Sequence, residues 1–172
     1  YSHEKPRVKA DSDGAFVIWN DFRADGSGDI YIQKITHENN GLWTSSSQLP
    51  FDGIVVSEEF GEQSNSRLTV DGNGGVYVVW ENRVNQRDIK IQYLDVNGST
   101  SFESDGLMVC DAVNDQTSPI VIKDGNGGVF SVWRDQRDGS IGLFTQHINQ
   151  FSGITLDDNG MQMYFGVDSN GQ

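Results

Sequence analysis

The 172-residue sequence contains a single cysteine, Cys110, and only three prolines. One cysteine excludes a disulfide within the chain, and the apolar residues that precede Cys110 indicate a small buried side chain. No apolar run approaches the roughly 18 residues of a membrane-spanning helix, so membrane insertion is not expected. No stretch of helical length repeats its apolar residues at a helical period, which argues against long helices.

Positive charge is also scarce, because 12 Lys and Arg side chains stand against 25 Asp and Glu, for a net charge of −13. Such an acidic surface repels phosphate backbones and anionic lipid, so nucleic acid is not an expected partner. Apolar residues make up only 35% of the chain, whereas glycine is abundant. This composition is typical of many short strands joined by Gly, Asn and Asp turns.

What the sequence does contain is one pattern repeated three times. Each copy has a β-forming run, a tight Asp/Gly turn and a second apolar run that ends in a tryptophan: Trp19, Trp80 or Trp133. Two β-forming runs around such a turn predict a β-hairpin, and two further strands follow in each copy. The tryptophans are 61 and 53 residues apart, which leaves room for the four strands of a propeller blade.

We therefore predict an all-β, β-propeller-like chain of three four-stranded antiparallel blades, in residues 1–62, 63–115 and 116–172. Three blades of ordinary twist do not close a ring, and a repeat buries its faces only against its neighbours. The chain is accordingly expected to be part of a larger ring. The expected partners are other blades, supplied by a longer chain or by a second copy, which would give six blades.

The repeat pattern Asp-Gly-x-Gly-Gly, Trp-x-Asp-x-Arg and Asp-Ile-Tyr-x-Gln resembles propeller repeats of large secreted and surface proteins of Bacteroidetes and related bacteria. Residues 19–23 and 29–33 fit this pattern best. The second copy departs from it in two places: the segment 81–83 after its tryptophan is one residue shorter, and Lys90 replaces the Tyr. The third copy departs at residues 142–144. The resemblance implies a bacterial protein outside the cell or at its surface, where such proteins are often type IX secretion substrates.

Polar residues after each tryptophan are the candidate binding site. An acid and an arginine recur there, and two of the copies place a further acid at the start of the next strand. In one hypothesis they form one polar site per blade, for glycan hydroxyls or a peptide; in the other, each pair pins a loop to the neighbouring blade. Trp43 lies outside the pattern and is expected to be partly exposed, where a sugar could stack on it. The candidate ligand-binding residues are Asp21, Arg23, Asp29, Glu81, Arg83, Asp88, Asp135, Arg137 and Trp43.

The Asp/Gly turns at Asp11, Asp71 and Asp124 raise the question of calcium, whose usual ligands are oxygen atoms. These turns lack the longer ligand run, closed by a Glu, of an EF-hand loop, and their Asn and Gly residues are typical of positive φ. No cofactor and no metal site are therefore predicted, with calcium in these turns as the alternative. No sialidase Asp-box is present and no carboxylate pair stands out, so no catalytic residue is predicted.

The expected function is a non-catalytic extracellular module for binding or adhesion, with a glycan or a surface protein as ligand. One alternative is a structural component of a larger secretion or cell-surface assembly. A second alternative is a sialidase-like glycoside hydrolase fragment, in which Arg23, Arg83 and Arg137 would supply a three-arginine clamp for a carboxylate. The fold alone does not decide between these functions.

Overall fold

A computed structural model of the chain describes residues 3–23, 26–38, 43 and 52–165. The regular secondary structure of these residues consists of β-strands. None of the described residues lies in a helix long and apolar enough to cross a membrane. The strands form three separate sheets of antiparallel neighbours, each built from consecutive strands. The predicted all-β, propeller-like architecture of three four-stranded blades is therefore confirmed, whereas the residue limits of the repeats stay a prediction.

Each blade runs from an inner first strand to an outer last strand. Blade 1 contains β1 (His3–Asp11), β2 (Gly14–Asp21), β3 (Asp29–Thr36) and β4 (Ile54–Ser57). Blade 2 contains β5 (Glu62–Val70), β6 (Val76–Arg83), β7 (Arg87–Leu94) and β8 (Leu107–Cys110). Blade 3 contains β9 (Gln116–Lys123), β10 (Gly128–Asp135), β11 (Gly142–Asn149) and β13 (Met161–Phe165), and the short β12 (Gly153–Ile154) also pairs with β11.

The first hairpin of blade 2 is closed by an aspartate that accepts hydrogen bonds from the turn itself. Asp71 Oδ1 accepts the backbone N–H of Asn73 at 2.7 Å and that of Gly75 at 3.0 Å. Gly72 and Gly74 have φ values of 94° and 91°, a region that glycine adopts without a Cβ clash. The equivalent aspartate of blade 3 makes the same two bonds, so the hairpins form for the predicted reason.

Alternate residues of β6 pack against different blades. Val76, Val78 and Trp80 belong to a core shared with blade 1, whereas Tyr77 and Val79 belong to a core shared with blade 3. This is the period-two alternation of a strand that is buried on both faces. The described residues are thus held together by two apolar cores, each lying between adjacent blades.

The repeat tryptophans differ in exposure according to whether a blade precedes them. Trp80 and Trp133 are 0% and 1% exposed, and both lie in an inter-blade core, as predicted. Trp19 occupies the same position in blade 1 and is only partly buried. Among the described residues, no blade packs against the face of blade 1 that carries Trp19.

The innermost strand of every blade bends at the same point. A register shift interrupts its pairing with the second strand, and the residue inside this bulge has positive φ. A non-glycine residue in this region carries strain of about 1–2 kcal/mol. The three residues are Lys5, Asn65 and Ser118, with φ values of 52°, 51° and 58°.

A recurring glutamine ties the third strand of each blade to the loop that follows it. Its side-chain oxygen accepts two backbone N–H groups, one from the next residue and one from about ten residues further on. The glutamine therefore recurs in the sequence because its side chain anchors this loop in every blade. The glutamines are Gln33, Gln92 and Gln146, and the distant donors are Trp43, Phe102 and Leu156.

Candidate functional site at the upper face of the blades

One end of the blades, the upper face, carries the loops that join second to third strands and the links between blades. The second strand of each blade ends at this face and the third strand begins there. Eight of the nine candidate ligand-binding residues lie at this end, and Trp43 does not. The structure thus brings the predicted polar residues to one face, although it gives them different roles.

In blade 1, Asp21 is the acceptor at the centre of a buried cluster. Its carboxylate accepts Trp19 Nε1 at 3.1 Å and the backbone N–H of Arg23 at 2.9 Å, and it also accepts the Arg23 guanidinium. His3 Nδ1 lies 3.0 Å from the same carboxylate. Burial raises the pKa of Asp21, but the bonds from Arg23 and Trp19 outweigh it and lower the pKa to about 2.

Blade 3 repeats this cluster around Asp135. Its carboxylate accepts Trp133 Nε1 at 3.0 Å and three N–H groups of Arg137 at 2.7–2.9 Å. Burial opposes ionisation of Asp135, and the bonds from Arg137 and Trp133 nevertheless lower its pKa. Arg137 also donates to Cys110 Sγ of blade 2 at 3.2 Å, so this corner touches the preceding blade.

The two arginines tie the upper loop to the residue two positions before the fourth strand. The Arg23 guanidinium lies 4.4 Å from the Tyr31 ring centroid and donates to the carbonyl of Asp52 at 3.4 Å. The Arg137 guanidinium lies over the ring of Phe144 and donates to the equivalent carbonyl, that of Asn159, at 2.7 Å. Both Asp–Arg pairs therefore stabilise the upper loop of their own blade, and a role in ligand binding stays a prediction.

Blade 2 reaches the same carbonyl by another route. Strand pairing places Asn82, and not Glu81, at the position of Asp21, because Asn82 lies opposite Asp88 as Asp21 lies opposite Asp29. Lys90 stands where the other blades have an aromatic ring, and its Nζ donates to Glu59 and to the carbonyl of Asp105. Lys90 was not among the predicted site residues, although its departure from the repeat pattern is visible in the sequence.

Arg83 is not the counterpart of Arg23 and Arg137. It ends β6, its side chain is 50% exposed, and its nearest carboxylate is that of Glu62, at 3.8 Å. Arg83 therefore does not occupy the position that Arg23 and Arg137 share, and the three-arginine clamp stays a prediction. Trp80 Nε1, which lacks the aspartate of the other blades, has no hydrogen-bond partner in the described part of the chain.

Glu81 joins blade 2 to blade 3. Its Oε1 accepts Asn65 Nδ2 at 2.8 Å and the backbone N–H of Ser118 at 2.7 Å, so it spans the bulges of two inner strands. Arg87 Nε lies 3.5 Å from its other oxygen. Because Glu81 is 1% exposed, its carboxylate is a buried link between blades.

Asp88 is a carboxyl group whose protonation is favoured by its surroundings. Burial raises its pKa, a hydrogen bond from Gln86 lowers it, and the charges of Asp111 and Asp115 raise it further. Asp115 is itself held by Arg87, whose backbone N–H and guanidinium donate to it at 3.0 and 3.1 Å. The upper face between blades 2 and 3 therefore places a carboxyl of raised pKa near two other carboxyl groups.

Two further expectations concern exposure and metals. Trp43 is 4% exposed, with its ring centroid 5.2 Å from that of Phe16, so the expected partial exposure is wrong. The core of blades 1 and 2 covers the indole, which leaves no face on which a sugar could stack. Within the described ranges, no group of three or more His, Cys, Asp or Glu side chains is placed to hold a metal ion.

Comparison with known proteins gives a fold. No protein-family model matches the chain, and no curated protein sequence matches it significantly. Among solved structures, a thermostable family-43 glycoside hydrolase is similar over 96% of this chain, with a TM-score of 0.54 and 13% identity. An endo-arabinase from Bacteroides thetaiotaomicron is similar over 95%, with a TM-score of 0.55 and 13% identity. A glycosyl hydrolase from Bacteroides ovatus is similar over 94%, with a TM-score of 0.51 and 10% identity.

The chain spans only 55%, 61% and 51% of these three proteins. Likenesses at such low identity establish the propeller-like fold of this chain, but they do not establish its activity. The interpretation as a non-catalytic module, and not an enzyme, is contradicted by them, because all three similar structures are glycoside hydrolases. They favour the glycoside hydrolase alternative, without supporting its sialidase-like form.

Proposed function

We propose that this chain is the three-blade part of a glycoside hydrolase whose complete propeller has further blades. The likeness to two glycoside hydrolases, over almost the whole chain and about three fifths or less of theirs, carries this proposal. If the remainder of those proteins has repeats of similar size, the complete ring has about five blades, within the usual range of propellers.

The uncovered face of blade 3 supports the proposal of further blades. Residues that are fully buried in blades 1 and 2 are exposed at the equivalent positions of blade 3, where no next blade packs on them. Burying such apolar side chains stabilises a repeat protein by about 25 cal/mol per Å². One set is Phe16 (0%), Tyr77 (0%) and Phe130 (42%), and another is Ile30 (0%), Ile89 (0%) and Leu143 (38%).

The opposite face of blade 1 shows the complementary pattern. Ile35 is 37% exposed, whereas its counterparts Leu94 and Ile148 are 0% exposed because a preceding blade covers them. Trp19 is likewise more exposed than Trp80 and Trp133. The two end faces thus carry the two halves of the interface that the chain already forms twice, and we propose that further blades of the same polypeptide cover them.

Asp88 is our candidate for the general acid. Glycoside hydrolysis uses one carboxyl group that donates a proton and a second that is ionised. Burial raises the pKa of Asp88, and the charges of Asp111 and Asp115 raise it further. In the proposed reaction Asp88 protonates the leaving oxygen, and an ionised carboxylate of the same cluster activates water or attacks the sugar.

The test is hydrolysis by the complete gene product of linear arabinan and a panel of fluorogenic glycosides. We expect turnover of at least one substrate, and a loss of roughly 100-fold or more in kcat for Asp88→Asn. Asp13→Asn is the matched control, because Asp13 is an exposed turn residue at the opposite end of blade 1. Absence of turnover on every substrate would overturn the activity, and full activity in Asp88→Asn would overturn only the assignment of the acid.

We also propose that the protein acts outside the cell or at its surface. The resemblance of the repeats to those of secreted bacterial proteins supports this location. Fractionation of the producing cells should place the protein in the medium or on the surface. Its recovery with the cytoplasmic fraction alone would contradict the proposal.

A further inference from the structure

The positive charges of this acidic protein are divided into a paired and an unpaired set. Of the seven Lys and Arg side chains outside the innermost strands, six lie within 4.0 Å of a carboxylate, with exposed Arg134 as the exception. In the described part of the chain, no carboxylate lies this close to any of the five on the innermost strands. These five, the inner-strand cations, are Lys5, Arg7, Lys9, Arg67 and Lys123.

The inner-strand cations are accessible. Arg67 is partly exposed and the other four are exposed, in a chain where acids outnumber bases by about two to one. The chain has 25 acidic residues, enough to supply each of these five cations with a carboxylate, and exposed ion pairs contribute little to stability. An unpaired row of cations on the strands nearest the propeller axis therefore favours a binding role over a structural one.

Two of these cations make the same local hydrogen bond. Arg7 Nη1 donates to the carbonyl of Pro6 at 3.1 Å, and Arg67 Nη1 donates to the carbonyl of Ser66 at 2.9 Å. Each acceptor follows the left-handed residue of the strand's own bulge. Only Nη1 of either guanidinium bonds to the described part of the chain, which leaves the other N–H groups of each for a ligand.

Strand pairing shows where the two guanidinium groups point. Arg7 lies opposite Ile18, whose side chain belongs to the core between blades 1 and 2, and Arg67 lies opposite Val79, whose side chain belongs to the core between blades 2 and 3. Each arginine therefore projects from its inner strand toward the next inner strand. The equivalent residue of blade 3 is Ile120, so this arrangement is confined to blades 1 and 2.

We infer that the inner strands of blades 1 and 2 bind an acidic oligosaccharide, with Arg7 and Arg67 contacting its carboxylate or sulfate groups. A guanidinium donates two parallel hydrogen bonds to such planar or multi-oxygen anions, which an ammonium cannot do. The sugar part of this inference rests on the proposed glycoside hydrolase function. The anionic part rests on the inner-strand cations alone.

The test uses the complete gene product with Asp88→Asn, so that binding is measured without turnover. Isothermal titration compares a tetragalacturonate, a sulfated tetrasaccharide and a neutral arabinotetraose, with an oligothymidylate as a non-saccharide anion. We expect one of the two acidic sugars to bind at least about tenfold more tightly than the neutral one, with an affinity that falls as salt rises. The tighter of the two identifies the anionic group.

Charge removal then locates the site. Arg7→Gln with Arg67→Gln should weaken acidic-sugar binding about tenfold or more, and Arg7→Gln alone should weaken it in part, with unchanged thermal unfolding. Arg134→Gln is the matched control, because Arg134 is also exposed and unpaired but lies on a central strand of blade 3. Equal weakening by Arg134→Gln, equal binding of the neutral sugar, or equally tight binding of oligothymidylate would overturn the inference. Tight binding with no hydrolysis by the Asp88-containing protein would overturn the proposed activity and leave this inference standing.

Discussion

The middle blade and the end blades solve one structural problem in two ways. In blades 1 and 3 an arginine two residues after a buried aspartate stacks on an aromatic ring and caps the carbonyl before the fourth strand. In blade 2 the aspartate is replaced by Asn82, the ring by Lys90, and Lys90 caps that carbonyl from the neighbouring strand. What the repeat keeps is therefore a positive charge at one point in space, and not a residue at one point in the sequence.

The same comparison separates covered from uncovered surfaces. Blade 2 has a neighbour on each side and buries both faces of its central strand, whereas blades 1 and 3 each leave one apolar face open. Substitutions at equivalent positions should therefore have unequal effects.

Replacement of a repeat tryptophan gives the largest difference between blades. Trp80→Ala removes a fully buried indole from the core between blades 1 and 2 and should lower the free energy of unfolding by about 3–5 kcal/mol. Trp19→Ala, on the uncovered face, should lower it by roughly half as much or less. Urea unfolding of the 172-residue chain checks both values. Equal losses would show that the end face is as well packed as the interior.

Loss of the buried aspartate should come next. Asp135→Asn leaves Arg137 without its carboxylate and should lower the free energy of unfolding by about 2–3 kcal/mol, since Arg137 is 20% exposed and stays partly solvated. In blade 2, Lys90→Met removes the pair with Glu59, whose side chain is 34% exposed, and should lower the free energy of unfolding by about 1 kcal/mol. Chemical unfolding at neutral pH compares the two. A larger loss for Lys90→Met would mean that blade 2 depends on its substitute charge more than the end blades depend on the original pair.

Acid should weaken blade 1 through Asp21. Its pKa is lowered on folding, from 3.8 to about 2, so its ionised form contributes stability above pH 3.8 that is lost as the pH falls toward 2. The difference in unfolding free energy between the wild type and Asp21→Asn should therefore shrink over this interval. The neighbouring Asn20→Ala variant has no titrating group at that position and serves as a control. A difference for Asp21→Asn that is independent of pH would contradict the lowered pKa.

The smallest effects are expected at the aspartates of the hairpin turns. Tyr93→Phe removes a 2.8 Å hydrogen bond to buried Asp71 in blade 2 and should lower the free energy of unfolding by about 1 kcal/mol. His147→Phe removes the equivalent 2.8 Å bond to Asp124 in blade 3 and an exposed 2.6 Å bond to Thr155. Both lie at the less buried end of the molecule, so the substitution should lower the free energy of unfolding by less. Thermal unfolding under identical conditions ranks the two variants. The reverse order would contradict the difference in burial between these turns.

The repeat architecture was predictable because each step of it is local in sequence. The Asp/Gly turns, the period-two alternation and the tryptophan at the end of the second strand all fall within about 14 residues of one another. These signals are sufficient to predict the hairpins, and their recurrence predicts the blades. Three blades do not close a ring, so uncovered end faces could be predicted from the repeat count. Which side chains these faces expose could be learned only from the structure.

The polar site was predictable only as a location. Glu81 was matched to Asp21 by its charge, whereas strand pairing gives that position to Asn82 and turns Glu81 toward Ser118 of the next blade. Trp43 was expected to be partly exposed because it lies outside the repeat, yet Gln33 accepts its backbone N–H and the indole packs into the core. Both errors arose because side chains distant in sequence decide these contacts.

The most direct test of the account measures whether the end face of blade 3 is covered in the complete gene product. Leu143→Cys and Phe60→Cys are each labelled with a maleimide, the second as an exposed control away from either end face. Cys110 stays silent because it is buried and its pKa is raised to about 12. We expect the thiol of Leu143→Cys to react readily in the 172-residue chain, and at least about 100-fold more slowly in the complete product, whereas the control reacts equally in both. Equally fast reaction in both proteins would contradict the claim that these three blades are part of a larger propeller.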